Sequence, residues 1–301
     1  MNRTSKSVLL PTLAAIVCHT LWGFSFLASR RGLDRAPVFV LLSHRFLLAL
    51  LLLLPVWLFR GRRERLRGRD LAMTLLLGLA QPVLYFFGEQ YGLLHSNTVF
   101  SGVMIAMIPV VSTLAAAPIL RERPTWRQLA FSLLSVGGVI GIGLLSGSSG
   151  RLDWIGVLAL LLAVASAAAY TLLGRSLSAR VSPFARTCSM MGMGAAVFTV
   201  LALITVREDP AAYLRPFADP AYLLSVLFLA VCCSVVCFFL SSYAITRLPV
   251  ARETVFSNLT TAVSVFAGVV LLHEPFSWTG LLCCGLIILG IWGVQRADRS
   301  R

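Results

Sequence analysis

Charge is what this sequence has least of. Only 13% of its 301 residues are Asp, Glu, Lys or Arg, against roughly 25% in an ordinary soluble domain. A soluble surface cannot be covered with so few ionic groups, whereas a surface facing lipid can. Lysine occurs once, at Lys6, and arginine supplies the other basic residues. Motifs are missing as well. Without a Gly-x-x-x-x-Gly-Lys-Ser/Thr stretch there is no ATP engine. Neither His-Glu-x-x-His nor Gly-x-Ser-x-Gly occurs, so the two commonest hydrolytic centres are unsupported and no residue stands out as catalytic. The seven cysteines (Cys18, Cys188, Cys232, Cys233, Cys237, Cys283 and Cys284) all fall inside apolar runs. No Cys-x-x-Cys pair sits in a polar loop, so neither a disulfide framework nor a metal site is supported, and no cofactor is expected. Cys233 and Cys237, one helical turn apart, read as small polarizable packing residues.

Apolar residues are abundant, at 58% of the chain, with a mean hydropathy of +0.86. A spanning helix needs roughly 20 apolar residues, so about ten spans and their short loops fill the chain and leave no room for a soluble catalytic domain. The expected spans are 8–29, 38–59, 70–92, 97–120, 125–145, 152–174, 183–206, 220–244, 250–272 and 277–295. Charge, Pro or Gly marks the breaks, most clearly in the arginine-rich stretch 60–70 and in Arg121-Glu122-Arg123-Pro124. Arg3 and Lys6 before an apolar stretch suggest a signal peptide. That stretch is too long for one and further spans follow it, so it reads as a retained first helix.

A net charge of +14 raises the question of nucleic acid. The positive residues sit in short gaps between apolar runs, which is the pattern of topology determinants, not of a nucleic-acid surface. With a cytoplasmic N-terminus and alternating spans, nineteen of the 26 basic residues fall on the cytoplasmic side. Six fall opposite (Arg30, Arg31, Arg35, Arg151, Arg207 and Arg215), and Arg45 lies within a span. This bias fits an even number of spans with both termini cytoplasmic.

The chain also repeats itself at a shift of 152 residues. Arg121-Glu122 followed by Thr125-Trp126 aligns with His273-Glu274 followed by Ser277-Trp278; Gly138 meets Gly290, and Tyr91 meets Tyr243. Halves of five spans, at 1–148 and 149–301, enter the membrane from opposite sides. The expected fold is therefore an all-α polytopic membrane protein of two inverted five-helix repeats, an architecture many secondary transporters use for alternating access.

Several stretches carry a family resemblance: Trp22-Gly23-Phe24, Arg45-Phe46-Leu47-Leu48-Ala49, Tyr91-Gly92-Leu93, Ile108-Pro109-Val110, Glu122, Ser257-Asn258-Leu259 and Leu271-Leu272-His273-Glu274-Pro275. In this order and spacing the chain resembles the EamA-type transporters of the drug/metabolite transporter superfamily. The resemblance covers nearly the whole chain. It implies export or uptake of small metabolites, often amino acids or related compounds. It also implies a central cavity between spans one, three and four and their counterparts six, eight and nine. Candidate liners are Trp22, Tyr85, Glu89, Thr98, Ser101, Tyr170, Tyr243 and Asn258. One departure is Thr261, which stands where span nine would match Pro109.

Ionisable groups inside spans are functional candidates by default. Glu89 lies near the outer end of span three, and His44 and Arg45 lie at a similar depth in span two. Glu89 pairing with Arg45 or His44 would pin the two spans together; the other reading is a substrate or proton site. His19, one turn before Trp22, could bind substrate or a proton, or bond a neighbouring helix. Small residues mark tight contacts: Gly137 and Gly141 in span five, and Ala159, Ala163 and Ala167 along one stripe of span six. Pro109 is expected to bend span four. Glu122 and Glu274 read as caps of the helices that follow them.

The function expected is a secondary transporter that exports an amino acid or related organic solute across the plasma membrane by alternating access, with energy from a proton, ion or exchange gradient and with a small-molecule substrate and the lipid bilayer as partners. The alternatives are a non-transporting membrane scaffold and, with less support, an intramembrane enzyme.

Overall fold

The computed structural model describes residues 3–60, 66, 68–108, 110–112, 115, 125–127, 130–131, 133–134, 137–138, 141, 153–247, 256–273 and 278–298. Among them no residue is in a strand. Backbone in lipid has no water to bond, so a chain this apolar satisfies its own N–H and C=O groups within helices.

The helices are α1 (Arg3–Leu33), α2 (Val38–Arg60), α3 (Gly68–Leu94), α4 (Thr98–Ile105), α5 (Trp154–Leu177), α6 (Pro183–Thr205), α7 (Pro220 to Arg247), α8 (Ser257 to Leu271) and α9 (Trp278–Asp298). Among the described residues, six stretches are long and apolar enough to cross a membrane: Leu9–Leu33, Val38–Phe59, Gly68–Leu94, Trp154–Leu177, Pro183–Thr205 and Pro220–Ala244. Large apolar side chains line the outside, with Phe59 at 89% exposure and Leu51, Val200, Leu203 and Leu224 also exposed. A soluble protein rarely shows apolar surface on this scale; on a bundle in lipid it is the solvent-facing surface.

Polar residues at the boundaries start the helices. Asn97 caps α4 by accepting from the Phe100 N–H, and Asp153 caps α5 from the Ile155 N–H. Ser182 caps α6, and Asp219 caps α7, each followed by a proline in the first turn. Such caps satisfy N–H groups that a helix start leaves unpaired.

Three helices are not uniform. The sequence reading treats 70–92 as one unbroken span, but α3 breaks at Leu79–Leu84, where Gln81 is extended (φ −145°, ψ 116°) ahead of Pro82. The physical reason is the proline, which supplies no N–H and disfavours helical backbone in the residue before it. Wider π-type winding also occupies Phe228–Val236 in α7 and Ala267–Leu271 at the end of α8.

The two parts of the chain are interleaved. Helix α1 lies against α7 and α8, α2 against α6 and the middle of α7, α3 against α5 and α6, and α4 against α8. Close approach at these crossings is permitted by glycine. A Cβ at Gly88 in α3 would enter the backbone of α5 at Ala159 and Ala163, and one at Gly102 in α4 would strike Ser264 of α8. The alanine stripe of span six is therefore a packing surface for α3. Gly141 faces Cys283 of α9 in the same close manner, whereas a Cβ at Gly137 would meet nothing. Thr261, at the position expected to match Pro109, donates its hydroxyl to the Gly102 carbonyl at 3.1 Å and so joins α8 to α4. Pro109, Glu122 and Glu274 lie outside the described residues, as does most of the expected span 125–145.

Candidate functional site

Loops 34–37, 95–97 and 206–219 close one end of the bundle. There Arg35 pairs with Asp219, Arg30 donates to the Leu93 carbonyl at 3.2 Å, and His95 pairs with Asp153. Bonds from Arg35 and from the Ala221 N–H hold the Asp219 carboxyl below the usual carboxylate range. The Ile155 N–H and His95 do the same for Asp153. At the opposite end, Arg180 reaches Asp70 at 3.6 Å.

Between these ends, in the half nearer Asp34, lies a buried polar cluster. It is built by α2, the second half of α3 and the π-wound part of α7. Arg45 of α2 is 1% exposed, Glu89 of α3 is 3% exposed and Gln90 is 1% exposed. Arg45 Nε donates to Ser234 Oγ of α7 at 2.8 Å. Its guanidinium carbon rests 4.1 Å from the Phe86 ring centroid and 5.5 Å from that of Phe46. Its Nη1 and Nη2 are buried with no hydrogen-bond partner.

Glu89 is held separately. Tyr85 donates to its Oε1 at 3.0 Å, and Gln90 Nε2 donates to its Oε2 at 3.0 Å. Gln90 Nε2 also reaches Ser29 Oγ of α1 at 3.1 Å, while Gln90 Oε1 has no partner. Three helices of the first part of the chain and one of the second thus converge on one polar region. The kink at Pro82 lies one turn before Tyr85, and π winding lies around Ser234. Irregular winding of this kind is rare and frequent at functional sites.

The ion pair expected of Glu89 does not form in this structure. Its carboxylate is occupied by Tyr85 and Gln90, and Arg45 by Ser234, with no Glu89–Arg45 contact within ion-pair distance. His44 points elsewhere. Its Nδ1 bonds the Tyr222 hydroxyl at 2.7 Å, and its ring packs against Tyr213 and Phe217, so it anchors the 206–219 connection. Adjacent residues on a helix face different sides, which is why His44 and Arg45 part company.

The remaining candidates scatter. His19 bonds the Thr260 hydroxyl at 3.0 Å and meets Trp22 edge-on, joining α1 to α8. Trp22 Nε1 donates to the Cys233 carbonyl at 3.1 Å and its ring contacts Phe238, which in turn meets Tyr170. These residues form an aromatic chain linking α1, α7 and α5. Thr98 is fully buried at the start of α4. Ser101 is tied to Ser96 Oγ at 3.0 Å and serves the 95–97 turn. Tyr243 lies about 13 Å along α7 from Ser234 by helical rise, under the Arg247 guanidinium at 4.0 Å; it does not join the cluster. Asn258 is in α8, and its side chain lies outside the described residues.

One participant, Ser234, and one buried arginine away from the cluster, Arg186, were not singled out in the sequence. Ser234 is a lone serine in an apolar run, and only its contact identifies it. Arg186 was counted with the loop arginines, yet it is 3% exposed inside α6, with Nη1 on the Gly174 carbonyl at 2.9 Å. Its position three residues inside an apolar helix was the available signal.

A cluster of this kind has no nucleophile–base pair, and among the described residues no group of three metal-ligating side chains occurs. The cluster leaves buried donors on Arg45 and a buried acceptor on Gln90 without partners.

The model of the EamA-like transporter family matches twice, at residues 9–144 and 154–296. The uncharacterized transporter YcxC of Bacillus subtilis (strain 168) is 34% identical, over 93% of this chain and 91% of its own. A "Probable terminal-alkyne amino-acid exporter" of Streptantibioticus cattleyicolor is 29% identical, over 96% of this chain and 94% of its own. A solved crystal structure superimposes with a TM-score of 0.66 at 20% identity, covering 99% of both chains, which is a likeness of fold. An apolar helical bundle, a duplicated family match and relatives named as transporters lead to one statement: the chain is a multi-pass membrane protein that belongs to the EamA-like transporter family.

Proposed function

We propose that the protein is a secondary carrier that exports an amino acid or a related small organic solute across the plasma membrane by alternating access. In this reading ten spans form two inverted five-helix halves, divided near residue 148, with both termini cytoplasmic and the Asp34 end outside. The charge asymmetry of the loops supports that orientation. The name of the Streptantibioticus relative supports the solute class and the direction.

The observation that carries the proposal is the buried cluster of Arg45, Glu89, Gln90 and Ser234, assembled from helices of both halves. Polar groups at this depth are expensive in lipid and mark substrate or ion pathways. In the observed state all four residues are closed off from both ends. Rocking one half against the other would open them to each side in turn. A proton or ion gradient, or exchange, would drive net movement.

Flux in reconstituted vesicles tests this. With a panel of radiolabelled amino acids and other metabolites, the carrier reading expects saturable, counterflow-competent uptake of at least one solute. Correctly folded protein that moves none of them overturns it. Formation of a chemically new product would instead identify an enzyme.

A further inference from the structure

We infer that Arg45, Glu89 and Gln90 form the head-group site for an α-amino acid, with Arg45 taking the carboxylate and Glu89 and Gln90 the ammonium. The inference rests on the carrier reading above and goes further by assigning the two poles.

The argument starts from what each group lacks. Arg45 is fixed at Nε by Ser234, yet Nη1 and Nη2, which carry four N–H donors, have no acceptor. A guanidinium presents these donors as a planar fork that matches a carboxylate in two parallel bonds. In the same cluster, Gln90 Oε1 is an acceptor with no donor. Glu89 accepts only two bonds, where an ionised carboxylate has about four lone-pair sites. An ammonium brings three donors, which these open acceptors can take.

Charge balance favours a ligand with both poles. A plain carboxylate would satisfy Arg45 and leave Glu89 and Gln90 open; a plain amine would do the reverse. A zwitterion satisfies both and adds no net charge to a low-dielectric site, where an uncompensated ion is costly. The partners also hold the two poles apart. Tyr85 and Gln90 tie down Glu89, and Ser234 ties down Arg45, so the opposite charges do not collapse onto each other.

In the closed state the guanidinium rests on Phe86, a cation–π contact that stands in for an anion. The Nη atoms have no solvent contact. Cargo therefore enters only when the two halves move apart around Arg45, and it displaces the Phe86 face from the fork.

The test is ligand-induced thermal stabilisation of the purified full chain. The probes are L-leucine, L-alanine, L-phenylalanine and L-arginine, each with its amide, its decarboxylated amine and its deaminated acid. At least one amino acid is expected to stabilise the protein, with its three analogues about tenfold or more weaker. Arg45→Lys and Glu89→Gln are each expected to weaken that amino acid about tenfold. The analogue comparison on the native chain needs no variant, so it decides the matter if a variant misfolds. Amide or amine binding as tight as the parent amino acid overturns the inference, as does unchanged affinity in a folded Arg45→Lys protein. Binding of no amino acid also overturns it, and if another solute is carried in vesicles the carrier reading survives that loss. Zwitterion-selective binding without flux of any solute leaves the site standing and removes the carrier reading.

Discussion

Arg35 and Asp219 show how a single residue can do two jobs at a membrane boundary. Asp219 caps α7 through the Ala221 N–H and at the same time holds the arginine of the 34–37 loop. Both bonds favour its ionised form and keep its carboxyl below the usual range. A carboxyl with a depressed folded value adds stability above its unfolded value, about 3.9. That contribution disappears as pH falls through the folded value. Asp219→Asn is therefore expected to lower the unfolding temperature at pH 7, with the gap to the native chain closing as pH drops below 4. A gap that stays constant from pH 7 to pH 3 would show that the charge is not what matters. At this scale the sequence was informative about which residues are unusual and uninformative about what they touch. Arg45 and Glu89 stood out because ions inside apolar runs are rare. Their expected pairing failed because the partner of Arg45 is Ser234, 189 residues away along the chain, and nothing local distinguishes that serine from others. Tyr243 belonged to the same aromatic reading as Tyr85, but residue type carries no information on depth along a helix.

Helix α3 illustrates what element-level reading recovers. Its limits, Gly68–Leu94, differ by two residues at each end from the expected 70–92, because a change from charged to apolar composition marks a membrane boundary sharply. The break at Leu79–Leu84 was missed although Pro82 was in plain view; the hydropathy argument counts apolar residues and is blind to a missing N–H. Pairing between helices was legible only as small-residue spacing. Ala159 and Ala163 did prove to be a contact stripe, with Gly88 opposite. Gly88→Ala would force the α3 and α5 backbones apart, and overpacking of this kind costs about 1–3 kcal/mol. Gly192 of α6 is the control, since a Cβ there meets nothing within 4 Å. Unfolding in detergent should show a clear loss for Gly88→Ala and little change for Gly192→Ala. Equal effects would mean that the crossing has room for a methyl group.

For the whole molecule, composition alone indicated a helical membrane protein, since only 13% charge leaves no other solvent for the surface. A duplication is readable as well, and the EamA-like family model matches twice, at residues 9–144 and 154–296. Orientation is open to a direct measurement. Reporters fused to each terminus should both report the cytoplasm, and one inserted after Arg207 should report the outside; termini on opposite sides would remove the even-span topology. What a repeat cannot reveal is how its helices pair. Among the described residues, the helices before residue 100 rest chiefly on helices after residue 153.

That interleaving has a consequence for biosynthesis. A ribosome delivers the chain from its N-terminus, so Arg45 and Glu89 enter the bilayer long before Ser234 has been made. Until α5, α6 and α7 arrive, the early helices have ions to shelter and lack the faces on which most of their described contacts are made. Arg45 therefore gains its Ser234 bond only after α7 has been made, and the cluster is completed late in synthesis.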